Sequence, residues 1–330
     1  MNFIPVVDIT ALRTEATETS VQLVSDRIGK ACREFGFFYV TGHGISRGLQ
    51  KSLEDLSRQF FCLDESDRMS IAMTRGGTAW RGYFPVGDEL TSGKPDQKEG
   101  LYFGTELEDH HPKVKAAVPM HGRNLFPAID GFRETVLSWI EQMTQLGHSL
   151  MNAIARSLGL TSGYFHERYT NDPLVLFRIF HYPPLGENLD ELWSVGEHTD
   201  YGLLTILKQD HTGGLQIRTQ SGWIDAPIVE DSFICNLGDM LDRMTGGVYR
   251  STPHRVRNAA LSGRLSFPFF FDPGWDVVVK PIDPNMTVSD DSADRWDGAR
   301  IHDWTGTYGE YLLRKVTRVF PDLENPSKST

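Results

Sequence analysis

Positive charge is scarce in this chain: 33 Lys and Arg stand against 44 Asp and Glu, a formal net charge of −11. General attraction to phosphate backbones or anionic membranes is therefore not expected, and neither a nucleic acid nor a membrane is the anticipated partner. No run of about 18 apolar residues occurs, and the opening MNFIPVVDIT has neither a basic n-region nor an apolar h-region. A soluble protein of the cytoplasm is the expectation. Cysteine is scarce too. Cys32, Cys62 and Cys235 are odd in number, scattered and free of any Cys-x-x-Cys pair, which suits a reducing compartment and argues against a disulfide framework or a thiolate zinc site. None has the neighbours of a nucleophile, so all three are expected to be structural thiols. No internal repeat is visible, and only the last residues, ENPSKST, read as a disordered tail.

What is present is an ordinary globular balance, 39% hydrophobic and 23% charged over 330 residues, enough to bury a sizeable core. Residues 19–34 place Val21, Val24, Ile28 and Cys32 three or four apart and predict an amphipathic helix that Gly36 ends. Phe37 to Val40 is aromatic and β-branched and predicts a strand, followed by a helix over about 45–62. From Asp130 to Leu158 apolar residues recur at helical spacing through Phe132, Val136, Ile140, Met143, Leu146, Leu150 and Ile154, which predicts one long scaffold helix. His148 within it reads as structural or surface. After residue 173 short β-rich runs follow at 174–181, 203–208, 214–218, 232–236, 266–271 and 276–279, a spacing that suggests an antiparallel sandwich or jelly roll. A terminal helix is expected between Trp304 and Phe320.

The one His-x-Asp/Glu triplet is His198-Thr199-Asp200. With 11 histidines and 44 acidic residues in 330, about 1.5 such matches arise by accident, so its context decides. His254, in Ser-Thr-Pro-His-Arg-Val, supplies a third candidate on another expected strand. Two neutral imidazoles and a carboxylate make a facial triad that leaves positions open on Fe(II) for a 2-oxo acid and O₂. Ten residues beyond His254, Arg264 and Ser266 lie two apart and so on one face of a strand, a guanidinium fork beside a hydroxyl that suits a carboxylate. Tyr182 offers a phenol to the same carboxylate. The segment from Met73 to Gly104 is rich in Gly and Pro and reads as a long loop, lid-like in length, which makes Trp80, Arg81, Tyr83, Phe84 and Phe103 candidates for the substrate pocket.

Taken in order, IPVVDIT, EFGFFYVTGHGI, HYPP, GEHTDYGLLTIL, GGLQIRTQSGWIDAP, FICNLGDML, GGVYRSTPHRV and GRLSF resemble the isopenicillin N synthase-like branch of the 2-oxoglutarate/iron(II) dioxygenases over nearly the whole chain. The resemblance implies a mainly β fold with flanking helices, a double-stranded β-helix core carrying an N-terminal α/β extension and the long scaffold helix. Residues 1–120 would form the N-terminal region, 121–172 the scaffold helix region, 173–285 the catalytic core and 286–330 the C-terminal helix and tail, in one integrated unit. It implies His198, Asp200 and His254 as iron ligands and Arg264, Ser266 and Tyr182 on the distal carboxylate of 2-oxoglutarate. Asn236 is placed to orient Asp200, and Phe270 to face substrate. Phe180 stands where plant members often carry asparagine. The implied cofactors are Fe(II), 2-oxoglutarate and O₂, with ascorbate as a stimulant; the implied reaction is hydroxylation, desaturation or cyclisation of a small molecule of secondary metabolism by a monomer or homodimer. Two rivals share these residues: an oxidase of the isopenicillin N synthase or aminocyclopropane-carboxylate oxidase kind that does not consume 2-oxoglutarate, and a non-catalytic binding protein on the same scaffold.

Overall fold

The computed structural model describes residues 4–184, 194–257, 263–283, 285, 288, 292–295 and 297–320; the tail expected to be disordered lies outside them. Strand β1 (Val6–Asp8) precedes helix α1 (Glu18–Glu34), strand β2 (Phe37–Thr41), helix α2 (Arg47–Phe61) and a short helix α3 (Glu65–Met69). Next come β3 (Gly82–Phe84), β4 (Glu99–Gly104), the one-turn helix α4 (Pro112–Lys115), the long helix α5 (Phe132–Ser157) and the short α6 (Tyr164–Arg168). Strands then dominate: β5 (Leu174–Tyr182), β6 (Val195–His198), β7 (Leu204–Gln209), β8 (Leu215–Thr219), β9 (Gly222–Asp225) and β10 (Phe233–Leu237). Helix α7 (Asp239–Thr245), β11 (His254–Val256), β12 (Arg264–Asp272) and α8 (Tyr308–Val319) complete the order.

Local chemistry sets the boundaries. The hydroxyl of Thr17 accepts from the Ser20 amide at the start of α1, and Gly36 takes the left-handed conformation that turns the chain from α1 into β2. Thr307 and Glu310 close a reciprocal capping box on α8. Eight strands form one sheet in the order β1-β2-β10-β7-β12-β5-β4-β3, and four form a second in the order β6-β11-β8-β9. Among these strands only β1 with β2 is parallel; the other pairs are antiparallel. The two sheets make the jelly roll and enclose a central cavity lined from both.

Strand β5 shows how the cavity is framed. Its even-numbered residues Leu176, Arg178, Phe180 and Tyr182 line the cavity, and its odd-numbered Val175, Phe177 and Ile179 are buried on the other face. There the long helix α5 covers the sheet, with Trp139 against Phe177 of β5 and Phe233 of β10 at ring separations of 6.0 and 5.8 Å. His148 of α5 packs on Phe271, in keeping with a structural histidine.

Two expectations are corrected. The run at 276–279 is no strand: Val278 makes only an isolated bridge to Thr307. The segment from Met73 to Gly104 is not an irregular loop throughout, because β3 and β4 within it extend the large sheet beside β5. Glycines had diluted the strand signal of β4. A Cβ at Gly100 would lie 2.7 Å from the Phe84 ring, so glycine is what lets β4 pass this close to its neighbours. Strands β6 and β9 and helix α7 were also not anticipated. Among the described residues no helix is long and apolar enough to cross a membrane.

Candidate active site

His198 ends β6, Asp200 follows in the turn, and His254 opens β11, where it is paired in register with His198. One ligand atom from each lies within 4.8 Å of the others. The geometry fixes the tautomers. Nδ1 of His198 is 2.9 Å from the Gly196 carbonyl and Nδ1 of His254 is 3.2 Å from the Thr252 carbonyl. A carbonyl only accepts, so each Nδ1 carries the proton and each Nε2 keeps its lone pair. Both Nε2 atoms face Asp200 Oδ1, at 3.9 and 3.7 Å. The other oxygen, Oδ2, accepts from Thr205 Oγ1 at 2.5 Å and Asn236 Nδ2 at 2.6 Å.

The electrostatics agree with a cation site. Burial, and then the neighbouring His254, push the His198 imidazole down to about 3, so it stays neutral at physiological pH. Burial opposes ionisation of Asp200, but the two histidines and the hydrogen bonds from Thr205 and Asn236 outweigh it and hold the carboxyl below its usual range. Two imidazole nitrogens and one anionic oxygen form a donor set that fits a divalent transition metal.

On the same cavity wall, Arg264 opens β12 and is fully buried. Its Nε donates to the Gly213 carbonyl at 2.6 Å and its guanidinium lies 4.6 Å from the Tyr182 ring centre. Both terminal nitrogens, Nη1 and Nη2, are buried without a protein partner. Leaving guanidinium donors buried and unpaired is costly, so this fork is built for a planar anion. Ser266 lies two residues on, and Tyr182 sits opposite Arg264 across the β5–β12 ladder.

Comparison with known proteins decides the family. Residues 4–129 match the N-terminal model described as non-haem dioxygenase in morphine synthesis, and residues 172–273 match the 2OG-Fe(II) oxygenase superfamily. A probable iron/ascorbate oxidoreductase of Dictyostelium discoideum is 50% identical over 98% of this chain and 96% of its own. The chain belongs to the 2-oxoglutarate/iron(II) oxygenase superfamily. Within it, this oxygenase falls in the isopenicillin N synthase-like branch. A 1-aminocyclopropane-1-carboxylate oxidase of Dictyostelium mucoroides is 37% identical over 97% of this chain and 95% of the relative. A full-length Neurospora crassa protein crystallised with α-ketoglutarate superposes with a TM-score of 0.79 at 26% identity, covering 95% of this chain and 96% of that one. The oxygenase therefore uses Fe(II), 2-oxoglutarate and O₂ to oxidise a small molecule.

The cavity, about 930 Å³ with its mouth, continues past the triad into a second half. Phe270 lines it, as anticipated for an aromatic wall. The other five substrate candidates are not brought there. Trp80, Arg81 and Phe103 line an adjoining cavity of about 290 Å³. Arg81 is buried, donates from Nη2 to the Met120 carbonyl at 2.7 Å, and is pushed by burial down to about 10. Tyr83 donates to Glu99 Oε2 at 2.5 Å, Phe84 packs edge-on to Tyr102, and Phe103 stacks on Phe126. Strands β3 and β4 explain this for Tyr83, Phe84 and Phe103, which they lock into sheet packing, while Trp80 and Arg81 are buried just ahead of β3. In their place the second half is lined by Glu89, Thr91, Lys98, Arg178, Tyr201 and Asp272, with Leu312 and Val319 of α8 closing it. None of these was singled out from the sequence, although Arg178 and Asp272 stand at even spacing from Phe180 and Phe270 on β5 and β12.

Proposed function

We propose that the chain is a hydroxylating oxygenase in which His198, Asp200 and His254 hold the iron while Arg264, Ser266 and Tyr182 receive the distal carboxylate of 2-oxoglutarate. One observation carries this reading: three convergent metal-type donors share a cavity with a buried guanidinium whose Nη1 and Nη2 have no protein partner. When bound, the iron supplies O₂ activation coupled to conversion of 2-oxoglutarate into succinate and CO₂, so that one oxygen atom enters a substrate C–H bond and the other enters succinate. The chain's own groups do the positioning. The Gly196 and Thr252 carbonyls hold the imidazoles with Nε2 inward, and Asn236 and Thr205 leave Oδ1 of Asp200 as its inward-facing oxygen. Leu176, Leu207, Leu215, Val256, Leu312 and Val319 give the cavity apolar walls that keep water from the reacting groups. The free thiols Cys32, Cys62 and Cys235 support the cytoplasm as compartment, and a cavity complete in one chain supports turnover by a monomer or by each half of a homodimer.

The similarity to 1-aminocyclopropane-1-carboxylate oxidase favours a second reading, in which the same cavity oxidises its substrate without 2-oxoglutarate. That relative's named substrate is an α-amino acid, which supports a small polar substrate here. Quantifying succinate, O₂ and product in one reaction separates the two readings. The first expects equal amounts of each and no turnover without 2-oxoglutarate; full O₂ uptake in its absence establishes the second.

A further inference from the structure

The half of the cavity beyond the triad holds two charged groups that the iron and 2-oxoglutarate leave unused. Arg178 projects from the inner face of β5, two residues before Phe180 and four before Tyr182. Its guanidinium is framed by the rings of Tyr102, Phe270 and Phe180 at 4.1, 4.9 and 6.0 Å. Among the described residues it donates no hydrogen bond. Among the described residues its one ion pair is with Glu89 at 3.5 Å, and Glu89 is already engaged by Lys98 at 2.9 Å and by the Tyr102 hydroxyl at 2.7 Å. Nε is buried with no partner. A guanidinium carries five donors in a fixed plane, and stacking on aromatic rings holds that plane still, so its unmet donors call for a planar acceptor entering the cavity.

Asp272 lies at the far end of the same wall, on the inner face of β12 and opposite Leu174 of β5. It is 3% exposed, and its Oδ2 accepts from the Tyr308 hydroxyl at 2.5 Å. No lysine, arginine or histidine among the described residues forms an ion pair with it. Arg178 acts on it only through space, without an ion pair, and a buried carboxyl that lines a cavity with no cation in contact is suited to a cation brought in by the ligand. The two groups belong to neighbouring strands and share the cavity with Leu312 and Val319 of α8.

We propose that this half of the cavity is a clamp for a zwitterion: the oxidised substrate is an amino acid whose carboxylate forks onto Arg178 and whose cationic nitrogen faces Asp272. The proposal rests on the oxygenase reading above and names the substrate class of that same site. Neutral polycyclic compounds, which would leave Nε of Arg178 and the Asp272 carboxyl without a ligand partner, are expected to be poor substrates.

The test uses the full-length protein loaded anaerobically with Fe(II) and 2-oxoglutarate. Succinate release is measured on adding the proteinogenic amino acids with ornithine and their one-carbon homologues, beside the matching carboxamides, N-acetyl derivatives and a set of neutral flavonoids and terpenoids. At least one free amino acid is expected to stimulate release, and its carboxamide and N-acetyl derivative to lose roughly tenfold or more in kcat/KM. Arg178→Gln should raise KM for the amino acid by a similar factor and erase the preference over the carboxamide, with Arg178→Lys recovering part of it. Asp272→Asn should erase the preference over the N-acetyl derivative. Titration of 2-oxoglutarate into each loaded protein distinguishes the two failures. If 2-oxoglutarate binds but no amino acid stimulates release, or if Arg178→Gln keeps the acid-over-amide preference, the clamp is wrong and the oxygenase reading stands; if 2-oxoglutarate does not bind the wild type, the oxygenase reading itself falls.

Discussion

Asp200 divides its two oxygens between different partners, and the consequences can be measured. Oδ2 is saturated by Thr205 and Asn236, so Oδ1 is left to the metal. Substituting His198, Asp200 or His254 by alanine should abolish Fe(II) binding and turnover while the fold persists, whereas Asn236→Ala should weaken Fe(II) only by about 10–100-fold. Anaerobic titration against a competing chelator ranks the four, and wild-type affinity in any of the three ligand variants would remove that residue from the site. Arg264 offers a second measurement. Its two unpartnered nitrogens make a charge-assisted fork worth about 1.5–3 kcal/mol, so Arg264→Ala should raise KM for 2-oxoglutarate at least roughly tenfold, with lysine rescuing in part. Ser266→Ala and Tyr182→Phe should cost on the order of 1 kcal/mol each. Residues such as these were legible because their chemistry is compressed into triplets: His198 with Asp200 spans the end of a strand, and Arg264 with Ser266 obeys a strand's two-residue period. Arg178 and Asp272 obey the same period but were passed over, because a lone charge in a strand ordinarily marks the solvent face. Only when both faces are seen to be buried does that charge become a ligand site.

Among the elements, the long helix and most core strands were legible within one or two residues, because α5 keeps one apolar stripe over 26 residues and the strands are dense in β-branched and aromatic side chains. Strands β3 and β4 were not, since Gly82, Gly100 and Gly104 break the pattern for reasons of close packing that appear only once the sheet is assembled. The same kind of contact yields a prediction for α5. By helix propensity alone, Gly147→Ala in the middle of this helix should stabilise the protein by up to about 1 kcal/mol. The packing reverses the sign. A Cβ at Gly147 would lie 2.5 and 2.7 Å from Cδ2 and Cγ of Phe271, a ring in the core of β12 that is 0% exposed and edge-on to His148 at 4.8 Å. Those ring atoms are close to the backbone and cannot swing aside cheaply, so overpacking of about 1–3 kcal/mol should exceed the propensity gain. Urea denaturation of Gly147→Ala should show a lower midpoint at an unchanged m-value. A higher midpoint would mean that α5 can shift away from the sheet.

For the molecule as a whole, the buried carboxyl of Asp272 ties stability to pH in a direction opposite to that of an ordinary ion-paired aspartate. Burial is the largest cause, joined by the charge of Asp200, and together they outweigh the hydrogen bonds from Tyr308 and the Leu203 amide and the charge of Arg178, raising the group from 3.8 to about 7. The folded protein thus binds a proton here that the unfolded chain releases, which makes the number of bound protons larger in the native state between the two values. Stability from this group is fully present below about pH 3.8 and is lost as pH rises, until the loss levels off just above pH 7. Each unit is worth about 1.4 kcal/mol, so between pH 5 and pH 8 the loss should be on the order of 2–3 kcal/mol. Asp272→Asn keeps an acceptor for the Tyr308 hydroxyl but has no charge to acquire, and should be free of this slope. The other titrating groups, including the neutral His198, are common to both proteins and cancel in the difference. Chemical denaturation of wild type and Asp272→Asn at a series of pH values should therefore give a stability difference that widens in favour of the variant up to about pH 7 and then levels off. A bound zwitterion with its cation beside Asp272 would favour the ionised carboxylate and flatten the wild-type slope. A difference that stays constant from pH 5 to pH 8 without ligand would show that Asp272 is already ionised at the bottom of that range.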